Sequence, residues 1–275
     1  MDAGAFASKT LGWEDLAQPE VVRVAGELRR FALRLAFAGT PFAVNGVLRR
    51  RFWVRRHKLW EYARGVACVM KSMEAREAEE AEEAEEEQEA RRQGGKEIEQ
   101  AKEKATRVLD FGGGATLPVY YLAHRGCDVL SVDTNPELAD WTNRVGHARG
   151  WELRGSTHDL AESPPQADSG QFDAVISFSV LEHIAKERQQ AVLERLAHLL
   201  KPGGVFALTF DYGTEAPVEG AIRNAAEVGW LVAATGLAFL DGRSFTDTGE
   251  RFVLDKRYPN GRFTFGSLFL RKGKD

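Results

Sequence analysis

The chain has 275 residues, 43% of them hydrophobic and 28% charged, with a formal net charge of −4 and two cysteines. That is the composition of a globular protein able to bury its own core, and Cys68 and Cys127 are too few for a disulfide scaffold or a paired C-x-x-C zinc site, so no metal centre is expected and the default location is a reducing cytoplasm. The opening MDAGAFASKT lacks the basic start and apolar stretch of a secretory signal, and the apolar run 31–44 is interrupted by Arg34 and Pro41, too short for the roughly 20 residues of a bilayer span. No membrane partner is expected.

Charge is segregated along the chain. Residues 21–64 carry eleven Lys or Arg against Glu27 and Glu61, whereas residues 74–90 carry ten Glu against Arg76. Blocks of this kind serve either as solvated faces or as interaction tails.

In chain order, residues 14–38 predict an amphipathic helix, because Leu16, Val21, Val24, Leu28, Phe31 and Leu35 recur at helical spacing before Gly39-Thr40-Pro41 ends it. A second helix begins near Phe52 and carries Trp53, Leu59, Trp60, Tyr62, Val66 and Val69. From about 74 to 93 the apolar stripe vanishes and Glu and Ala remain, which predicts a charged helical insertion on the surface. Residues 1–104 thus form a helical cap and residues 105–275 a second unit.

That second unit alternates β-branched runs with helical patterns. RVLDF (107–111), DVLSVD (128–133), WELRGSTHDL (151–160), FDAVISFSV (172–180) and GVFALTF (204–210) read as buried parallel strands, with helices near 117–125, 136–149, 184–200 and 221–236. ERFVLDKRY and RFTFGSLFLRK, joined by Pro259-Asn260-Gly261, predict an antiparallel hairpin at the end of the sheet. The expected fold is α/β, a Rossmann-like doubly wound sheet with an antiparallel C-terminal strand and a helical N-terminal cap.

The chemistry gathers at strand ends. The first strand runs into Asp110, Phe111, Gly112, Gly113 and Gly114, a turn where backbone can approach a ligand closely. A dinucleotide fingerprint would need glycine at 117, where Leu117 stands before Pro118, and no Lys-Ser/Thr pair ends the turn as a phosphate-binding loop requires. Asp133, closing the second strand, can accept both hydroxyls of a ribose, and Asp159, at the third strand's end, can accept from an adenine amine. Each Asp could instead cap the helix that follows it.

Taken together, VLDFGGG, VLSVDTNPEL, HDL, FDAVISFSVLEHI and LLKPGGVFALTF, in that order, resemble the core of the class I S-adenosylmethionine-dependent methyltransferases, within a type 11 methyltransferase-like branch that includes quinone-biosynthesis enzymes. The resemblance spans Arg107 to Tyr212 and departs at Phe111, where Val or Ile is usual. It implies S-adenosylmethionine as cofactor, with Asp110, Gly112 and Gly114 on its methionine and ribose side, Asp133 on the ribose, Asp159 at adenine, and Ser177 and Phe178 flanking it. In LWEYARG (59–65), Trp60 and Tyr62 suit either a lid or a core helix, while Arg64 is a candidate partner of the cofactor carboxylate. Glu182 and His183 directly follow the fourth strand, where cofactor and acceptor meet; His183 is the candidate base or acceptor-orienting group, with Tyr212 as a second pocket residue.

The implied activity is methyl transfer to an O or N nucleophile of a small-molecule or peptide acceptor. Two rivals remain: an RNA methyltransferase using the basic run Arg49–Arg56, and a non-catalytic cofactor-binding subunit recruiting a partner through its acidic arm. Nucleic acid is disfavoured, because the acidic block can neutralise the basic one and the LEHI strand end lacks the tetrad typical of base N-methylation.

Overall fold

The computed structural model describes residues 6–92, 105–160, 162 and 170–274. A two-residue strand, β1 (Lys9–Thr10), leads through a short 3-10 turn at Trp13–Ala17 into α1 (Pro19–Phe37). The predicted helix 14–38 is thus split at Pro19, which sits at the first helical position, where its missing N–H costs nothing. Next come the hairpin β2 (Phe42–Val44) and β3 (Val47–Arg49) and the long helix α2 (Arg56–Arg92). The acidic run continues α2 without a break. The remainder is β4 (Arg107–Phe111), α3 (Leu117–His124), β5 (Asp128–Asp133), α4 (Pro136–Arg149), β6 (Leu153–Thr157), β7 (Phe172–Phe178), α5 (Lys186–Leu199), β8 (Leu200–Tyr212), α6 (Ala225–Thr235), β9 (Ala238–Phe239) and β10 (Thr264–Arg271).

The main sheet runs β1-β10-β8-β7-β4-β5-β6, with β9 also on β10. Strands β4 to β8 are parallel to their neighbours and β10 is antiparallel to β8. The chain leaves β4 to build outward through β5 and β6, then returns to place β7 on β4's other side. That reversal opens a crevice at the carboxyl ends of β4 and β7, the place where open α/β sheets bind ligands.

Strand alternation divides the core in two. Val108, Val129, Ile176, Val205 and Ala207 face a cluster supplied by α1, α2, α3 and α4, while their neighbours Leu109, Val175, Phe206 and Leu208 face α5 and α6. The N-terminal helices therefore share one face of the sheet with α3 and α4, and β1 makes part of its edge.

Two elements depart from the sequence reading. ERFVLDKRY is not a strand; within it only Phe252 bridges, to Phe263. Both edges of β10 are already taken, one by β8 along its full length and the other by β1 and β9, so no edge remains for a hairpin partner. Conversely, the β2–β3 hairpin was signalled by Asn45-Gly46, which take φ of 51° and 69°, the pair of positive values a two-residue type I′ turn demands.

Candidate active site

A cavity of about 1120 Å³ opens at the crevice. One wall is the loop after β4. Gly112 has φ of +74°, and a Cβ there would meet Val180 side-chain carbon at 2.4 Å, so only glycine permits this turn beside the end of β7. A Cβ on Gly114 would fall 2.8 Å from Asp133 Oδ2, the atom to which the Gly114 N–H donates at 3.1 Å. Asp133 also accepts from the Asn135 N–H at 2.8 Å, leaving a half-buried carboxylate fixed by two amides on the cavity wall. Asp159 lies on the same wall.

Asp110 is beneath this loop rather than on it. Only 1% exposed, it accepts from Ser131 Oγ at 2.6 Å and from the Gly113 N–H, and burial raises its pKa to about 7. Its role is to brace the loop. Ser177 is likewise interior, donating to the Phe111 carbonyl at 3.0 Å. Phe178 does line the cavity, and its ring packs against Gly65 of α2, where a Cβ would overlap it at 2.2 Å.

Arg64 is placed elsewhere. It is fully buried, donates to Ser267 Oγ at 2.7 Å and to the Ala7 carbonyl at 2.6 Å, lies over the Trp60 and Phe269 rings, and pairs with Asp15 at 3.7 Å. Trp60, also fully buried, donates to the same Asp15 at 2.9 Å. These two residues tie the N-terminal segment to α2 and β10. Tyr62, two positions on, faces the cavity with its ring 6.0 Å from that of Phe178. Tyr212 is also outside: its ring packs on Phe245 and its hydroxyl donates to Asp247 at 3.1 Å. Strand alternation turns Asp211 into the cavity and its neighbour Tyr212 away.

The other side of the cavity holds two buried carboxyl groups, Glu182 and Asp211. Glu182, 2% exposed, lines the cavity with Oε2 lacking a hydrogen-bond partner. Burial raises its pKa well above the ordinary carboxylate value, and the nearby Asp211 raises it further. Asp211 is itself pushed up to about 7 by burial. Beside them, burial disfavours charge on Lys58, but the Glu61 carboxylate overrides it and holds the ammonium above its usual pKa. Glu61 in turn accepts from Ser179 Oγ at 2.5 Å and Thr209 Oγ1 at 2.9 Å, while Lys58 reaches Ser179 Oγ at 2.8 Å. Ser179 has φ of +54°, a strained value for a side-chain-bearing residue at the strand end. His183 is on the cavity wall, its pKa lowered by partial desolvation and then by Lys58, so its imidazole is neutral at pH 7. Burial lowers His57, also on the wall, to about 4.

The loop 181–184 is pinned from behind. Buried Gln189 donates to the carbonyls of Leu181 at 3.0 Å, Ile184 at 3.2 Å and Gly220 at 2.6 Å.

Sequence reasoning missed Lys58, Glu61, Ser179 and Asp211. Lys58, Glu61, Tyr62 and Gly65 recur at i, i+3, i+4 and i+7, a signal of one helix face turned to one place. Asp211 was signalled by the alternation of β8. No group of three or more His, Cys, Asp or Glu side chains suited to a metal ion occurs among the described residues.

The cavity's walls fit S-adenosylmethionine. A glycine turn and an amide-fixed Asp133 lie on one side, and an unpartnered buried acid lies on the other.

Residues 109–208 match the family described as methyltransferase domain. A ubiquinone biosynthesis O-methyltransferase of Xylella fastidiosa is 35% identical over 102 residues, covering 36% of this chain and 39% of that protein. A protein of the same name from Xanthomonas oryzae is 32% identical over 133 residues, covering 46% and 52%. The chain thus spans about half, or less, of the length of these curated relatives. The crystal structure of the cyclase SpnF shares the fold, with a TM-score of 0.53 at 14% identity over 93% of this chain and 97% of that one. Residues 109–208 of this chain are thus similar to a methyltransferase domain.

Proposed function

We propose that the protein transfers a methyl group from S-adenosylmethionine to an oxygen or nitrogen nucleophile of a small-molecule acceptor. The observation that carries this reading is the meeting, in one cavity, of the Gly112–Asp133–Asp159 wall with the buried Glu182–Asp211 pair. The cofactor supplies an already electrophilic methyl group, so the chain's own task is to align the nucleophile, exclude water and accept a proton where the nucleophile arrives protonated.

Each task has its residues. Tyr62 and Phe178 present aromatic surface beside the glycine loop. The Glu182–Asp211 pair, one carboxyl of which retains a proton near neutral pH because both are buried together, accepts the acceptor's proton in its ionised form. His183, neutral at pH 7, orients the acceptor or serves as a second base. Lys58 supplies a fixed positive charge to oppose a developing oxyanion. The curated relatives are named as O-methyltransferases, which favours oxygen over nitrogen.

Methyl-labelled S-adenosylmethionine incubated with panels of phenols, catechols and amines tests the assignment. Label transfer to a hydroxyl compound is the expected result. Tight cofactor binding without transfer to any acceptor class would support the non-catalytic subunit instead.

A further inference from the structure

Around the β2–β3 hairpin the chain exposes a group of large apolar side chains. Phe37 at the end of α1 is 82% exposed, Trp53 63%, Phe52 54% and Leu33 39%, and the Phe37 and Phe52 rings touch edge to face with centroids 6.0 Å apart. These apolar groups come from two separate segments that meet in space. The intervening hairpin adds exposed Arg49 and Arg50, for which no hydrogen bond or ion pair occurs among the described residues. Burying such arginines against protein would require acidic partners, and none is there.

The patch is mechanically joined to the site. The Ala43 N–H donates to the Ala115 carbonyl at 2.7 Å, clamping the hairpin onto the loop after β4, and the hairpin turn Asn45-Gly46 with Arg55 lines the cavity itself.

We propose that this patch docks the protein on an anionic lipid surface, inserting Phe37, Phe52 and Trp53 among the headgroups while Arg49 and Arg50 meet lipid phosphates, so that the cavity faces the bilayer and takes acceptors carried in the lipid phase. Charge complementarity and shape select this occupant. Protruding side chains ringed by unpaired guanidinium groups match an interface with an apolar interior and a negative surface. Exposed aromatic rings also stack on unpaired bases, and the test below separates RNA from lipid. Among the described residues no helix is long and apolar enough to cross a membrane, and docking of this kind needs none. The proposal is independent of the methyl-transfer reading, because vesicle binding requires neither cofactor nor acceptor.

Co-sedimentation of the full chain with vesicles of phosphatidylglycerol mixed with phosphatidylcholine, against phosphatidylcholine alone, tests it. Binding to the anionic vesicles that weakens with salt is expected. Phe52→Ser with Trp53→Ser should reduce partitioning by at least about tenfold, and Arg49→Gln with Arg50→Gln by about thirtyfold. Both variants should keep the native circular dichroism and melting curve, since the replaced side chains are exposed. Brominated lipid should quench a fluorescence component that is missing from Trp53→Phe, a readout that a purely structural role would not give. The proposal is overturned by absence of binding at low salt, by binding that both double variants retain, by preferential capture on a single-stranded RNA oligonucleotide, or by self-association that buries Trp53 in place of lipid.

Discussion

Asp133 illustrates how a single side chain can be committed to a ligand before the ligand arrives. Two backbone N–H groups hold its carboxylate on the cavity wall, so under the proposed function the residue loses little freedom on binding and a ribose diol would meet an acceptor already in place. Asp133→Ala removes a charged hydrogen-bond acceptor, a loss of about 1.5 to 3 kcal/mol. Calorimetry should therefore show S-adenosylmethionine affinity at least about tenfold weaker. Asp211 acts through its proton. Its pKa is raised from 3.8 to about 7 in the folded protein, so its contribution to stability is complete below the unfolded value and is lost as pH rises through about 7. Asp211→Asn cannot ionise. Its melting temperature relative to the native protein should climb between pH 4 and 7, and the ascending limb of the native pH–rate profile near 7 should flatten or move in the variant. A difference in melting temperature that is constant across that range would show that Asp211 is not buried as a neutral acid.

At the scale of elements, the site depends on close approaches that side-chain identity alone does not advertise. Helix α2 passes so near the end of β7 that Gly65 is in contact with the Phe178 ring, and an added methyl at 2.2 Å has nowhere to go unless the ring rotates into the cavity. Gly65→Ala should weaken cofactor binding more than it lowers the melting temperature, as measured by calorimetry and thermal unfolding on the same preparation. On the opposite wall, Gln189 satisfies three carbonyls with one amide group and so fixes the Glu182–His183 turn. Gln189→Ala takes this donor from the Ile184 and Gly220 carbonyls, while the Leu181 carbonyl keeps the Ile184 N–H at 3.1 Å, a cost of about 1 to 3 kcal/mol. Its signature as a positioning residue is a fall in transfer rate with cofactor affinity retained, and partial recovery in Gln189→Asn would show that the hydrogen bonds, not the volume, matter. The helix α2 also divides functionally along its length. Arg76 donates to Thr106 Oγ1 at 2.8 Å and pairs with Asp173, joining α2 to the first and fourth parallel strands, whereas the sequence 81–92 contains no large apolar residue. Replacing 81–92 by an equal length of Gly and Ser should leave the melting temperature nearly unchanged. By contrast, Arg76→Ala should lower stability by about 1 to 2 kcal/mol.

For the whole molecule, periodicity and strand-end chemistry were enough to establish the doubly wound sheet, the glycine turn, and the positions of Asp133 and Asp159, because these follow from local rules: which face a strand buries, where a helix must start, and which residues permit a positive φ. The LEHI segment was likewise recognisable as a strand end on the ligand side. What local rules could not decide was which long-range neighbour each side chain would find. Arg64 reads in sequence like a carboxylate ligand, yet tertiary packing places it against Asp15, Ser267 and Ala7, because the N-terminal segment folds back along β10 and encloses it. Tyr212, expected in the pocket, faces away from it while its neighbour Asp211 faces in, a distinction that depends on where β8 ends relative to the crevice. The hairpin expected from 250–271 was refused because β1, from the other end of the chain, shares the free edge of β10 with β9. The sequence by itself determined the elements and the cofactor side of the cavity, whose residues sit close to one another along a few strand-to-helix turns. Only the tertiary structure decided the opposite wall, where Lys58 and Glu61 from α2 meet Ser179, Glu182 and Asp211 across separations of up to 153 residues, and where burial, which no single segment imposes, raises the pKa of both acids.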